Sequence, residues 1–194
     1  MAVPVLLIID LFSRFDFPDA DRLAPIAVTA AKNVAQIRRT FDDQGWPVVY
    51  ANDNFGDWEC GFRDLAQACL DTPGPPHAIA DLLFPGPDHY SILKPKHSAF
   101  LSTPLQILLE KLDAGALVLT GMALDSCVLA TAIDANSREM RGVVVEEATA
   151  ALPERKAASL LVLKESGVAT ISTMSSLAQL LSEADQNADQ ATGA

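Results

Sequence analysis

Apolar residues arrive along this chain in short unbroken bursts, and each burst ends on a polar residue. Val3-Pro4-Val5-Leu6-Leu7-Ile8-Ile9 is an aliphatic run of strand length that stops at Asp10. A run without polar alternation is the pattern of a strand covered on both faces of a parallel sheet. Similar runs at Pro47–Tyr50, Tyr90–Leu93, Ala116–Leu119, Val143–Val145 and Val168–Ile171 bring the predicted strands to six.

Helical periodicity fills the intervals. Ile26, Ala30, Asn33/Val34, Ile37 and Phe41 recur at helical spacing and predict a helix over Ile26–Phe41. Thr103-Pro104 places an N-cap type before a proline and opens a helix over Leu105–Leu112; Leu152-Pro153 opens another that runs through Lys164. Ser172 or Thr173 starts a last helix.

Strands alternating with helices imply parallel pairing with right-handed crossovers. The prediction is a three-layer α/β/α, Rossmann-like fold around a six-stranded, mainly parallel sheet. One domain is expected over 1–182, with a frayed polar tail over 183–194. The interval from Asn52 to His89 breaks the rhythm. Its Pro73-Gly74-Pro75-Pro76 and Phe84-Pro85-Gly86-Pro87 segments read as loops around one short helix near Phe62–Leu70, an insertion suited to a pocket wall.

Composition narrows the function classes. Of 194 residues 49% are apolar and 20% charged, which is core-forming material rather than the composition of a disordered chain. The net charge of −11 opposes a phosphate backbone, so no nucleic-acid partner is expected. The N-terminal apolar run is too short to span a bilayer and lacks a basic leader, so no membrane association is expected. Three cysteines, Cys60, Cys69 and Cys127, match no zinc or disulfide framework, and reduced thiols in the cytoplasm are the expectation.

In open parallel sheets ligands bind beyond the carboxyl ends of the strands. That rule selects Asp10 after the first strand, Asn52 and Asp53 after the second, Lys94 after the third, and Thr120 to Cys127 after the fourth. The last segment reads as strand end, tight turn and helix start, with Asp125 or Ser126 as N-cap and Cys127 in the first helical turn. Unpaired backbone N–H groups there, and a nearby Lys94, favour a thiolate over a thiol whose unperturbed pKa is about 8.5. Asp10 close to the sulfur could act as general base and then as acid.

Each residue also has a purely structural reading: Cys127 as a small core residue, Asp10 as a backbone cap, Lys94 as a solvated charge. Their joint arrival at strand ends weighs against it. Among the histidines only His97 is placed to line the pocket; His77 and His89 sit in or beside the Pro-rich loops. Phe12, Asn52, Phe55 and Trp58 complete the candidate pocket wall, and Phe100 is read as core or wall.

These residues resemble the isochorismatase-like hydrolases, a family that includes nicotinamidases, N-carbamoylsarcosine amidohydrolases and isochorismatases. Leu6-Leu7-Ile8-Ile9-Asp10 is similar to the family's first strand and aspartate. Leu93-Lys94-Pro95-Lys96-His97-Ser98-Ala99-Phe100 resembles its lysine segment, and Thr120 to Thr131 resembles its Gly-x-Ala-x-Asp-x-Cys-Val turn. The likeness covers almost the whole chain. It implies an Asp10–Lys94–Cys127 triad, a covalent adduct on Cys127, a cis peptide at Met122–Ala123, and an oxyanion hole from the N–H groups of Ala123 and Cys127. It also implies a homo-oligomer, a dimer or tetramer.

The chain departs from the nicotinamidase pattern in the loop after the second strand, where Asn52-Asp53-Asn54-Phe55-Gly56-Asp57-Trp58 contains no histidine. Two loop carboxylates, Asp53 and Asp57, are more often solvated than metal-bound, so no metal or other cofactor is expected. The presence of Cys127 favours hydrolysis of a C–N bond in a small amide, carbamoyl or ureide substrate. Vinyl-ether cleavage of the isochorismatase type, with Asp10 as acid, is the enzymatic alternative; a non-catalytic relative that binds a metabolite or protein is the other.

Overall fold

The computed structural model describes residues 3–181; the tail expected over 183–194 lies outside the described residues. Six strands form one sheet in the order β3-β2-β1-β4-β5-β6, and every pairing is parallel. They are β1 (Val3–Ile9), β2 (Val48–Asp53), β3 (Tyr90–Lys94), β4 (Ala114–Met122), β5 (Gly142–Ala150) and β6 (Thr170–Ser172). The helices are α1 (Ala20–Gln44), α2 (Phe62–Leu70), α3 (Pro75–Leu83), α4 (Leu105–Lys111), α5 (Leu129–Asn136) and α6 (Pro153–Glu165), followed by helical residues 174–181.

The central strand shows why the apolar run was so dense. Leu6 and Ile8 of β1 face a core built with α1, α2, α3 and residues Leu177 and Leu181. Val5, Leu7 and Ile9 face the other core, against α4, α5 and Leu163 of α6. Alternate side chains of a strand point to opposite faces, so a strand covered on both sides has no polar positions to offer. Burying each such side chain contributes about 1.5–3 kcal/mol.

Several elements differ from expectation, and for two of them the physical reason is plain. The segment from Pro75 is a helix, α3, rather than loop: its prolines occupy the first helical positions, where a missing N–H costs nothing and the fixed φ suits the helix. β5 runs on to Ala150 past Glu146 and Glu147, because the register against β4 slips between Leu119 and Gly121 and pairing resumes at Thr149. β6 spans Thr170–Ser172 rather than Val168–Ile171.

β4 packs tightly on β1 at the carboxyl edge. Thr120 Oγ1 donates to the Leu7 carbonyl at 3.0 Å. Gly121, at φ 108°, lies so near Ile9 that an added Cβ would stand 2.0 Å from the Ile9 carbonyl oxygen. The residue after Ile9 is Asp10, so this contact sets where the strand tips deliver their side chains. No helix among the described residues is long and apolar enough to cross a membrane.

Candidate active site

β1 ends with Asp10 in the left-handed region, φ 51°, which aspartate tolerates better than most residues. Its N–H donates to the Ala51 carbonyl at 3.1 Å, keeping the turn against β2. Both carboxylate oxygens are engaged: Oδ1 accepts the Asp53 N–H at 2.6 Å and Oδ2 lies 2.7 Å from Lys94 Nζ.

Lys94 closes β3 and is fully buried. Its ammonium has three donors, and three acceptors surround it: Asp10 Oδ2, the Lys96 carbonyl at 3.0 Å, and Cys127 Sγ at 3.6 Å. The structure thus brings Asp10, Lys94 and Cys127 to one point from β1, β3 and the turn after β4.

That turn differs from the expected helix start. Leu124–Val128 forms a single π-helical turn with Ala123 at its N-cap position, and Cys127 lies within it. Asp125, expected as a cap, points to Arg155 at 3.7 Å, while Ser126 Oγ lies 3.6 Å from Cys127 Sγ. The peptide bond between Met122 and Ala123 is cis. The Ala123 carbonyl accepts the N–H groups of Ser126 and Val128. Thr131 ties this turn to the segment after β3, its hydroxyl donating to the Cys127 carbonyl at 2.7 Å and accepting the Ala99 N–H at 3.0 Å.

Burial reverses the expected state of the sulfur. The Cys127 thiol is pushed up to about 12, first by loss of solvent and then by the Asp10 charge, against the opposing pull of Lys94. Burial also raises the Asp10 carboxyl above its ordinary value, although Lys94 and the hydrogen bonds draw it down. For Lys94 burial acts downward, but Asp10, Cys127 and Asp53 outweigh it, so the amine is raised and stays charged. The site at rest therefore sets a charged ammonium between a neutral thiol and a carboxyl whose affinity for a proton is enhanced.

The expected pocket residues divide. Phe12 is a core residue, packing edge-on against Tyr50 and Phe62. Asn52 is also buried and spends its amide on the backbone of Phe12, donating to its carbonyl at 3.0 Å and accepting its N–H at 3.1 Å. Both side chains turn inward, because proximity to a strand end does not determine which way a side chain points. Phe100 is core, with the Arg138 guanidinium over its ring. Trp58 is 78% exposed.

Phe55 does line a cavity of about 410 Å³, together with Arg14, Asn54, Asp57 and Leu93. None of Asp10, Lys94, His97 and Cys127 is among its lining residues, and Leu93 packs on the core opposite to the one that Cys127 packs against. His97 reaches the sulfur itself, Nδ1 standing 3.6 Å from Cys127 Sγ. Asp53 and Asp57 turn side-chain oxygens onto N–H groups of their own loop, and no cluster of three or more potential metal-ligating side chains occurs among the described residues.

Comparison with known proteins gives a consistent result. A family model described as the isochorismatase domain matches residues 4–175. An isochorismatase family protein, YaaI, of Bacillus subtilis is 33% identical over 69% of this chain and 73% of its own length. Ureidoacrylate amidohydrolase RutB of Methylorubrum extorquens is 38% identical over 68% of this chain, though the match spans only 57% of that protein. The crystal structure of N-carbamoylsarcosine amidase from Thermoplasma acidophilum superimposes with a TM-score of 0.67 at 26% identity, over 89% of this chain and 96% of that one.

Proposed function

The chain belongs to the isochorismatase family, and we propose that it is a cysteine hydrolase that cleaves the C–N bond of a small amide, carbamoyl or ureide compound through an adduct on Cys127. The observation that carries this reading is the contact of one buried ammonium with both a carboxylate and a thiol, Lys94 Nζ lying 2.7 Å from Asp10 and 3.6 Å from Cys127 Sγ. The names of two relatives, a ureidoacrylate amidohydrolase and an N-carbamoylsarcosine amidase, support the same bond class.

In this mechanism Asp10 takes the proton of Cys127 as Sγ bonds to the carbonyl carbon of the substrate. The raised proton affinity of Asp10 suits it to that transfer. Lys94 offsets the negative charge that passes between sulfur and carboxylate. The carbonyl oxygen, now an oxyanion, faces the N–H groups of Ala123 and Cys127, and each such donor is typically worth about 3 kcal/mol of barrier. The C–N bond then breaks, the nitrogen leaves with the proton from Asp10, and a thioester remains. Water hydrolyses it to the acid and restores the thiol.

The test is a panel of ureidoacrylate, N-carbamoylsarcosine and simple primary amides with wild-type protein and Cys127→Ala. Turnover of at least one compound, a mass adduct on Cys127 and loss of both in the variant are expected. Turnover that survives Cys127→Ala defeats the covalent reading and selects ether-type or acid–base chemistry at Asp10.

A further inference from the structure

We infer that His97 is the base that draws the hydrolytic water onto acylated Cys127, a role that rests on the cysteine-adduct reading above. His97 Nδ1 stands as close to Cys127 Sγ as Lys94 Nζ does, both at 3.6 Å. The two groups approach from different environments: Lys94 is fully buried, whereas His97 is exposed.

This asymmetry matters for the second half of the reaction. The attacking water has to come from solvent, and the Asp10–Lys94 side of the sulfur is nearly closed to it, Asp10 being 8% exposed and Lys94 0%. Oδ1 of Asp10 holds the Asp53 N–H at 2.6 Å and Oδ2 holds Lys94 at 2.7 Å. The imidazole stands at the open side, where a water bound to it lies within reach of a carbon attached to Sγ. His97 is also held in place. The next residues, Ser98 and Ala99, are buried, and Ala99 N–H is bonded to the Thr131 hydroxyl that in turn bonds the Cys127 carbonyl.

The step balances as follows. The imidazole accepts a proton from water while the water oxygen forms a bond to the thioester carbon. The tetrahedral adduct collapses with scission of the C–S bond, whose electron pair returns to Sγ. Sulfur takes the proton back from the imidazolium, giving a carboxylic acid and the starting thiol. The charged groups that act on the sulfur are Asp10 from the tip of β1 and Lys94 on the same segment as His97, and Asp53 from β2 acts on Lys94 in turn.

p-Nitrophenyl acetate separates the two half-reactions, since release of p-nitrophenolate in the first turnover reports acylation and the steady state reports deacylation. In His97→Gln the burst is expected to persist within about twofold of wild type. Deacylation should fall on the order of a hundredfold, the range of a general base, with acetylated Cys127 accumulating by intact mass. Unchanged melting, expected for an exposed side chain, confirms an intact fold. Wild-type deacylation in His97→Gln overturns this inference while leaving the cysteine adduct standing; an equal loss of burst and steady state also overturns it, by assigning His97 to thiol activation. No burst and no acetyl adduct in wild-type protein, with Cys127→Ala behaving identically, overturns both.

Discussion

The Lys94 ammonium contacts the Asp10 carboxylate at 2.7 Å from a position with no solvent exposure. Two charges taken out of water are tolerated only when each finds its partner and its remaining hydrogen-bonding capacity is met. Here the Lys96 carbonyl, the Asp53 N–H and the Cys127 sulfur supply the rest. Stability and chemistry therefore draw on the same contacts.

Lys94→Ala leaves Asp10 buried without its counter-charge, a change that typically costs about 3–5 kcal/mol, or roughly 10 °C in melting temperature for a domain of this size. The loss should depend on pH with a definite sign. Burial already holds the Asp10 carboxyl above its ordinary value, and removal of Lys94 takes away the largest opposing influence. A carboxyl raised in the folded state favours folding while it is protonated, and that advantage is lost as pH rises through the folded value. Melting in the variant should lie nearest to wild type around pH 4–5 and furthest below it at about pH 8. A deficit that grows toward acid pH contradicts this account of the pair.

Asp10→Asn keeps a residue type that accepts the left-handed backbone at φ 51° but removes the charge beside the thiol. After burial, that charge is the largest influence holding Cys127 up to about 12, and Lys94 is the largest of those that lower it, ahead of the Ser126 hydroxyl. With Lys94 unopposed the thiol pKa should fall, and each unit raises the thiolate fraction about tenfold. Site-resolved iodoacetamide labelling at neutral pH should show Cys127 reacting faster in the variant, with Cys69, a thiol burial holds up to about 11, as internal reference. Amide turnover should vanish at the same time, because the leaving nitrogen has lost its acid. Slower labelling in Asp10→Asn is incompatible with these electrostatics.

What could be read in the chain was whatever depends on nearest neighbours in sequence. β1 was visible because burial on both faces leaves an unbroken apolar run, and Asp10, Lys94 and the segment to Cys127 were visible because they follow such runs. α3 was hidden because prolines read as loop formers when they stand at a helix start. The second half of β5 was hidden because Glu146 and Glu147 interrupt its apolar pattern. Phe12 and Asn52 show the sharper limit, since adjacency to the strand ends suggested a pocket and their side chains turn into the core. The neutral thiol of Cys127 belongs to the same class: its local position favours a thiolate, and only the packed tertiary environment reverses that.

Gly121→Ala should disrupt both fold and site. At φ 108° any side chain is strained, and the added Cβ would meet the Ile9 oxygen at 2.0 Å and the Ile9 nitrogen at 2.7 Å, backbone atoms that cannot swing aside. Separating β1 from β4 is the only relief, and it would move Asp10 away from Lys94 and Cys127. Destabilisation on the order of 4 kcal/mol is expected, the range reserved for named steric failures, together with loss of turnover in whatever fraction remains soluble. Wild-type melting in this variant would mean that the β1–β4 approach is wrongly described.

Thr131→Val tests whether the segment after β3 is held against the π-helical turn by a hydroxyl rather than by packing alone. The replacement is close in volume, so the core around Ala132 and Ala135 has no cavity to collapse into. What changes is a pair of hydrogen bonds: the buried Ala99 N–H loses its acceptor and the Cys127 carbonyl loses its donor. An unsatisfied buried donor costs about 1–3 kcal/mol, which should appear as a moderate fall in melting temperature. The larger consequence falls on chemistry. Lys94 and His97 lie on the chain leading to Ala99, and their 3.6 Å approaches to Cys127 Sγ depend on that segment staying in register with the turn. A displacement of about 1 Å can cost on the order of a hundredfold in rate, so kcat should fall far more than the stability loss accounts for, with KM little changed. Thr131→Ser, which restores the hydroxyl but not the methyl group, should recover most of kcat while remaining less stable than wild type. A serine variant no more active than the valine variant would show that packing, and not the shared hydroxyl, aligns the two segments.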